Sequence, residues 1–152
     1  VLFSANPQSR SAYQSLFPTR QIEKRYEAIA RALPELTFPL VHKSRLIDGE
    51  PFFRMQEGPG ASNTETAVDV REKNGDLWRY GLYPVTGKKH QLRVHMTALG
   101  ASICNDPFYP RVLKDVEDDY ANPLKLLAQG LKFVDPVTGE DREFESAITL
   151  QW

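Results

Sequence analysis

The sequence predicts an α+β domain whose mainly antiparallel mixed sheet is flanked by a few helices. Three observations predict it. Strand-like runs outnumber helical ones, turn signals join most neighbouring strands into hairpins, and only two segments show clear helical punctuation. The length of 152 residues suits one domain with a core of its own.

The first elements follow from short-range signals. Residues 1–5 form an apolar, strand-like run. Asn6 and Pro7 then predict a helix start, with Asn as N-cap and Pro in the first turn, and the helix is expected to cover residues 7–17. Residues 21–31 place apolar side chains at alternate positions, which predicts a strand.

Turn residues predict three hairpins. Residues 41–47 and 52–55 flank Asp48-Gly49, and residues 64–71 and 77–85 flank Asn74-Gly75, the clearest hairpin signal in the chain. The third pair, 131–134 with 143–150, surrounds a Pro-Val-Thr-Gly turn.

The remaining segments predict a helix, a short strand and a loop. A helix is expected over residues 86–99, with Gly100 as its C-terminal stop. Residues 101–104 read as a short strand, residues 106–119 as an acidic loop, and residues 123–129 as a short helix.

Composition places the chain among ordinary globular proteins, with 41% hydrophobic and 26% charged residues. No apolar run approaches the roughly 20 residues of a membrane helix, so we expect no membrane partner. Cys104 is the only cysteine, which excludes an internal disulfide and fits a cytoplasmic location. Val1 opens directly on an apolar run without an initiator Met, so we expect a fragment.

Charge is unevenly distributed despite a net value of −1. Residues 1–95 carry 14 basic and 10 acidic side chains, and residues 96–152 carry 5 and 10. Basic residues cluster at 20–25 and 88–93, and no acidic residue occurs between Arg79 and His95. Such a stripe can bind RNA on a neutral protein, but on charge alone a solvated face is the better interpretation.

Several site classes are excluded by missing motifs. The chain contains no phosphate-binding glycine motif, no CxxC and no HExxH. His90 and His95 are five residues apart, which is not the spacing of two ligands on one helix face, and His42 is isolated. We therefore expect no metal site and interpret His42 as an ordinary strand or surface histidine.

The densest candidate site is the basic segment 83–95, in which a strand leads through Thr86-Gly87 into a helix. Arg93 lies between Leu92 and Val94, and a guanidinium in an apolar setting calls for a fixed carboxylate or phosphate partner. The alternative is an amphipathic helix whose long cations reach solvent. The residues alone leave both interpretations open.

A second candidate is Lys24-Arg25-Tyr26 on the predicted strand 21–31. An aromatic side chain between basic residues can stack on a base while a phosphate is held nearby. A strand tyrosine half-buried in the core is the commoner explanation for one such residue.

Together these segments resemble a known family. Residues 86–95, TGKKHQLRVH, are similar to the TGR-x-HQ-I/L-R-VH signature of RluA-type pseudouridine synthases, with Lys88 where Arg is usual. Residues 24–28 resemble the family's K-x-Y-x-A strand, and residues 105–109 resemble its GDPLYG stretch, with Asn105 and Phe108 as substitutions. The closing turn is similar as well, whereas Leu127-Ala128 departs from the family's L-H-A.

The resemblance implies a truncated pseudouridine synthase-like fold, with residues 1–152 forming the C-terminal portion of the catalytic domain. It implies conversion of uridine to pseudouridine in structured RNA, rRNA or tRNA, without cofactor or metal. The family's catalytic aspartate lies in an R-L-D motif that this sequence lacks. We therefore expect the chain to be inactive alone, and we expect Asp106 to position the loop after Gly100 rather than replace the nucleophile.

The resemblance also implies residue roles. Arg93 would pair with the absent aspartate, and Tyr26 would stack on the flipped uracil. The expected RNA-binding residues are Lys24, Arg25, Lys88, Lys89, His90 and Gln91. Without the aspartate, we expect another carboxylate or an anion near Arg93, a dimer through an exposed sheet edge, or local disorder. Two alternatives stay open: a non-catalytic RNA-binding module, and an unrelated α+β protein with a solvated basic helix.

Overall fold

The computed structural model describes residues 3–113 and 120–152 of the chain. Within that part it forms one seven-stranded antiparallel sheet and two α-helices. In chain order the elements are α1 (Pro7–Ser15), β1 (Ile22–Arg31), β2 (Leu40–Asp48), β3 (Met55–Gly58), β4 (Thr64–Asn74), β5 (Leu77–Pro84), α2 (Gln91–Ala98), β6 (Leu126–Val134) and β7 (Asp141–Glu145). The predicted α+β class with an antiparallel sheet is confirmed.

The strand order is β3-β2-β4-β5-β1-β6-β7, so β1 is inserted between two sets of hairpin-connected strands. The three predicted hairpins appear as β2–β3, β4–β5 and β6–β7. In β4–β5, Asn74 pairs with Leu77, which leaves Gly75 and Asp76 as the turn. Gly75 has a φ of +55°, a conformation that glycine adopts without a steric cost.

The main core lies between the central strands and α2. Alternate residues of each strand point to one face of the sheet, and on this face Ala28, Val68, Tyr80 and Leu82 are buried. Helix α2 covers them with Leu92 and Met96, which are one helical turn apart. The sheet therefore fixes the position of α2, which carries Arg93 and directly follows Lys88, Lys89 and His90.

Helix α1 begins as predicted, because the Asn6 side chain accepts a hydrogen bond of 2.9 Å from the Gln8 backbone N–H. It ends at Ser15 rather than at residue 17. The strand predicted over residues 1–5 is wrong for residues 3–5, which belong to no strand, and Val1 and Leu2 lie outside the described residues.

Local turns displace other boundaries. The backbone N–H of Arg54 donates to the carbonyl of Pro51 over 2.8 Å, which closes a turn. Because of this turn, β3 begins at Met55, whereas the strand was predicted over residues 52–55. Helix α2 starts at Gln91 instead of residue 86, because His90 has a left-handed φ of 54°. It ends before Gly100, whose φ of +95° confirms the predicted stop.

The helix predicted over residues 123–129 is wrong, since Leu126 to Ala128 pair with β1 as part of β6. Apolar residues alone cannot separate a short helix from a buried strand, and the sheet supplies the deciding hydrogen bonds. Residues 101–104 contribute one isolated bridge, Ile103 to Ala30. Strand β7 ends at Glu145, and residues 114–119 of the predicted acidic loop lie outside the described residues.

No helix within residues 3–113 and 120–152 is long and apolar enough to cross a membrane.

Candidate functional site

Two adjoining cavities open between β1, β6 and the segment that leads into α2. Their volumes are about 490 Å³ and 670 Å³, and both are lined by Phe17, Lys24 and Tyr26. The smaller cavity is also lined by Thr86, Gly87, Lys88, His90, Gln91 and Arg93. We call the smaller cavity the cleft. The structure thus brings Tyr26 and Arg93, predicted separately from two motifs, to one cavity.

Strand β1 presents Lys24 and Tyr26 to the cleft, because residues two apart in a strand share a face. The Lys24 ammonium donates to the carbonyl of Thr86 over 3.1 Å, which ties β1 to the start of the basic segment. Burial lowers the pKa of Lys24 and raises the pKa of the Tyr26 hydroxyl. Tyr26 is therefore a neutral, half-buried aromatic side chain at neutral pH.

Arg25 does not share this site. It lines neither cavity, and its guanidinium Nη2 lies 2.9 Å from both Glu143 Oε1 and Glu145 Oε1. The side chain crosses Gly130 to reach strand β7. Two carboxylates thus occupy Arg25, and its place in the strand turns it away from Tyr26, so its expected contact with RNA phosphate stays a prediction that the cleft does not support.

Arg93 has a carboxylate partner within the chain. Its Nε and Nη2 donate to Asp106 Oδ2 and Oδ1 over 2.8 Å and 2.5 Å, a bidentate ion pair. The Arg93 side chain is 12% exposed and the Asp106 side chain 1%. One of the expected outcomes, another carboxylate near Arg93, is observed.

Asp106 also organises the loop that follows α2. Its Oδ1 accepts hydrogen bonds from the backbone N–H groups of Phe108 and Tyr109 over 2.8 Å and 3.1 Å. The predicted loop-positioning role of Asp106 is confirmed by these contacts. Sequence reasoning missed that the same carboxylate also holds Arg93.

The three residues before α2 differ in exposure. Lys88 and Lys89 are exposed, and only Lys88 lines the cleft. His90 is half-buried, with Nδ1 lying 3.1 Å from the hydroxyl of Tyr109. Burial, and then the charges of Arg93 and Lys89, lower the pKa of His90, while Asp106 raises it. His90 is therefore neutral at pH 7 and contributes hydrogen bonding rather than charge.

Gln91 was predicted to contact RNA, but its amide is fully engaged inside the protein. Oε1 accepts from Thr86 Oγ1 over 2.8 Å and from the Lys88 backbone N–H over 3.1 Å. Nε2 donates to the Glu65 carbonyl over 3.1 Å and to Thr66 Oγ1 over 2.9 Å. These bonds position the turn before α2 against β4, and a contact between the Gln91 amide and RNA, which would have to break one of them, stays a prediction.

His95 continues this network one helical turn later. Its Nδ1 lies 2.9 Å from Thr66 Oγ1 and its Nε2 lies 3.0 Å from Thr64 Oγ1. Thr66 accepts from Gln91, and Thr64 donates to the Ser44 carbonyl over 2.7 Å, which fits a neutral His95 with its proton on Nε2. Burial lowers the pKa of His95 to about 4, with the charge of His42 as a smaller cause.

Among the described residues, one group of three side chains has ligand atoms close enough to hold a metal ion. These are His42, Glu57 and His95, whose ligand atoms lie within 4.8 Å of one another. His42 Nε2 lies 2.6 Å from Glu57 Oε1. Both His95 nitrogens already have hydroxyl partners, so a metal would have to displace one of them. His42 is isolated in the sequence, whereas the fold pairs it with Glu57 and sets its ring 4.7 Å from that of His95.

The sequence carries a signal for this network in two polar pairs. Thr64 and Thr66 are two apart in a predicted strand and therefore share a face. Gln91 and His95 are four apart in a predicted helix and also share a face. Two matched polar pairs of this kind predict a hydrogen-bonded contact between helix and strand, rather than two independent ligand-binding residues.

The fold and the cleft describe an α+β domain with a basic cavity at a strand-to-helix turn. Comparisons with known proteins give its family. A family model described as RNA pseudouridylate synthase matches residues 1–98, well over half of the chain. The chain belongs to this family. The predicted RluA type is supported by its relatives.

A protein of Haemophilus influenzae called dual-specificity RNA pseudouridine synthase RluA is 32% identical, with 96% of this chain and 66% of that protein covered. An uncharacterised RNA pseudouridine synthase of Chlorobaculum parvum is 30% identical, with 97% of this chain and 50% of that protein covered. The chain thus spans about half to two thirds of the length of these relatives.

Solved structures share the fold. Human RNA pseudouridylate synthase domain-containing proteins 1 and 4 superpose with TM-scores of 0.74 and 0.71, each at 23% identity and over 95% of this chain. The chain covers 62% and 64% of those two chains. At this identity the comparison establishes the architecture alone.

Proposed function

We propose that the chain is the uridine-holding part of an RNA pseudouridine synthase, which isomerises uridine to pseudouridine within rRNA or tRNA in the cytoplasm. The observation that carries the proposal is the convergence of Tyr26 and Arg93 on one cavity at the basic strand-to-helix turn. Membership of the family supports the reaction class.

The reaction needs a base that has left its stack. The bond between C1′ and N1 of uridine breaks, the base turns, and a bond between C1′ and C5 forms, while the proton of C5 is lost and N1 regains one. Because uridine and pseudouridine are isomers, the reaction consumes no oxidant, reductant or other reactant and needs no cofactor. A flipped uracil needs a flat apolar contact and a shielded pocket, and the half-buried ring of Tyr26 supplies the contact.

Arg93 would orient the nucleophilic carboxylate of the reaction. Its Nε and Nη2 are held by Asp106, which fixes the plane of the guanidinium before a second anion arrives. A guanidinium fixed in this way loses little entropy when it accepts another partner. Asp106 is thus a positioning residue in this proposal, and Arg93 is the residue that contacts the reacting carboxylate.

Phosphates of the RNA would be held by Lys88 and Lys89, which are exposed, and by Lys24 at the floor of the cleft. His90 would donate or accept hydrogen bonds as a neutral ring. Contacts of this kind are independent of sequence and weaken with salt.

Residues 1–152 contain no R-L-D motif, so we propose that the chain does not catalyse alone. The test is release of tritium from RNA labelled at C5 of uridine. The 152-residue chain should release none, and the same chain extended upstream by a segment that carries the R-L-D motif should release it. The extended chain with that aspartate changed to Asn is the control. Release by the 152-residue chain alone would contradict the proposal.

A non-catalytic RNA-binding module is the second candidate. The Arg93–Asp106 pair favours it, because Arg93 already has a carboxylate partner and needs no nucleophile to be stable. Failure of the extended chain to release tritium, with RNA binding retained, would support this candidate.

We also propose that the chain forms a dimer through one of its edge strands, β3 or β7. Light scattering of the purified chain tests this: the mass of a dimer is expected, and the mass of a monomer would contradict it.

A further inference from the structure

A series of aromatic rings runs from the cleft to the tip of the loop between β2 and β3. The ring centroid of His90 lies 5.8 Å from that of Phe108. Phe108 lies 5.0 Å from Phe53, and Phe53 lies 5.6 Å from Phe52. We call Phe52, Phe53 and Phe108 the aromatic platform. It begins at the cleft, because His90 and Arg93 line that cavity.

The outer end of the platform is exposed on a short, hydrogen-bonded loop. Phe52 is 85% exposed, and Phe53 and Phe108 are half-buried. The loop is held by the Gly49 N–H donating to the Arg54 carbonyl over 3.1 Å and by the Arg54 N–H donating to the Pro51 carbonyl over 2.8 Å. A single exposed phenylalanine needs no explanation, but Phe52 continues through two partly exposed rings to the cleft, and this continuity makes the surface a candidate binding site.

Cations lie against the rings of this surface. The guanidinium carbon of Arg93 is 4.8 Å from the ring centroid of Phe108, and that of Arg54 is 4.8 Å from the centroid of Tyr109. Exposed Lys88 and Lys89 precede His90 at the inner end. Because Arg93 is paired with Asp106, the remaining positive charge beside the platform comes from Arg54, Lys88 and Lys89. A ligand that lies along the platform therefore meets aromatic rings beside positive charge, which is the combination that binds single-stranded nucleic acid.

We propose that the aromatic platform stacks unpaired nucleobases that flank the target uridine, so that the RNA strand runs from the cleft to Phe52. This rests on the proposed function, since the strand is placed by its uridine in the cleft. Continuity with the cleft and the adjacent cations favour RNA over an apolar protein partner, which would gain nothing from the positive charge. Stacking tolerates every base, so the platform recognises an unpaired strand rather than a sequence.

The test compares Phe52 variants on two RNAs in fluorescence anisotropy at one salt concentration. One RNA is a hairpin with a uridine-containing unpaired loop, and the other is a fully paired duplex of equal length. Phe52→Ala and Phe52→Leu should each weaken hairpin binding by about fivefold or more. Neither should change duplex binding, because the duplex offers only phosphates to this surface.

Val137→Ala is the matched control. Val137 is 62% exposed in the turn between β6 and β7, at the opposite end of the sheet from the β2–β3 loop. This variant should bind both RNAs as the unchanged chain does. A thermal melt of each variant shows whether the fold is retained, and substitution of a side chain as exposed as Phe52 should leave the melting temperature unchanged.

A spectroscopic readout gives a second criterion. Phe52→Trp should retain affinity for the hairpin, and its fluorescence should be quenched when the hairpin binds, whereas Val137→Trp should not be quenched. Loss of affinity in Phe52→Ala with full affinity in Phe52→Leu would overturn stacking in favour of simple apolar contact. Unchanged affinity in both, with no quenching of Phe52→Trp, would overturn the platform altogether.

The failure of this inference can be told apart from failure of the proposed function. If hairpin binding is weakened by salt and by the double change Lys88→Ala with Lys89→Ala, but not by Phe52→Ala or Phe52→Leu, then the proposed function stands and the platform is wrong. If neither set of variants changes hairpin binding, the cleft is not the RNA site and both proposals fail.

Discussion

The two faces of the segment 86–95 use similar polar residues for opposite purposes. Arg93 faces the cleft, is held by Asp106 and keeps part of its surface exposed. Gln91 and His95 face β4, are buried, and direct every hydrogen bond to protein atoms. A residue's place in a signature therefore does not reveal its role, because about half a helical turn separates Arg93, which borders the cleft, from Gln91 and His95, which bond to β4.

The difference has an energetic basis. A buried polar group is tolerated only if it is hydrogen-bonded, and the Gln91–Thr66–His95–Thr64 chain satisfies its members in a directional series. On the cleft side, Arg93 is neutralised by a carboxylate and borders a cavity that a ligand can enter. We therefore expect substitutions on the β4 side to change stability and substitutions on the cleft side to change binding. Asp106 is the exception, because it is buried and should affect stability although it holds Arg93 at the cleft.

The largest expected effect is at Asp106, where the two faces meet. Asp106→Ala removes both bonds to Arg93 and the acceptor of two backbone N–H groups. Leaving the cation unpaired should lower the free energy of unfolding by about 4 kcal/mol. Urea denaturation at pH 7 measures it, with exposed Asp141→Ala as the control, expected within about 0.5 kcal/mol of the unchanged chain. A decrease below about 1 kcal/mol would show that the pair is dispensable.

The next effect is the pH dependence of stability from His95. Its pKa is lowered to about 4 in the folded chain, so the unfolded chain binds the extra proton first. The stabilisation is complete above the ordinary histidine pKa near 6.5 and is lost as pH falls from there toward 4, by roughly 3 kcal/mol. Urea denaturation between pH 7 and 4.5 should show this decline. In His95→Gln the decline in this window should be much smaller, and an equal slope in both chains would exclude His95 as its source.

The smallest effect on stability is expected on the cleft side. Lys88 and Lys89 are exposed, so changing both to Ala should alter the free energy of unfolding by no more than about 0.5 kcal/mol. The same change should reduce the dependence of log affinity on log salt by about 0.7 for each RNA phosphate that the variant no longer binds. Titrations at several salt concentrations measure this slope. A stable variant with an unchanged slope would remove these lysines from the RNA site.

Much of the fold follows from local signals. The hairpin around Asn74-Gly75, the Asn6 cap and the Gly100 stop depend on residues close in sequence, and all three are confirmed. The first part of β6 was predicted as a helix because its apolar run fits either periodicity, and only pairing with β1 decides between them. The start of α2 was missed because His90 adopts a left-handed conformation, which is uncommon for any residue other than glycine and which no turn signal marks here.

The site was predicted only in part, because local motifs mark some of its residues whereas contacts between distant segments decide the others. Lys24, Tyr26 and Arg93 stand out through their motifs, and their meeting at one cavity follows from the sheet order. The sequence did not predict that Arg25 pairs with Glu143 and Glu145, about 120 residues away in the chain. No local pattern encodes contacts over such separations, and the same is true of His42 with Glu57 and His95.

The central claim, that the cleft between Tyr26 and Arg93 holds a uridine of RNA, can be tested without catalysis. A hairpin RNA with 4-thiouridine at one loop position is irradiated with the 152-residue chain, and the cross-linked peptide is identified by mass spectrometry. We expect cross-links to residues that line the cleft, Tyr26 above all, and we expect them to disappear in Tyr26→Ala. Cross-links confined to surfaces away from the cleft, such as the one around Lys73 and Trp78, would contradict it.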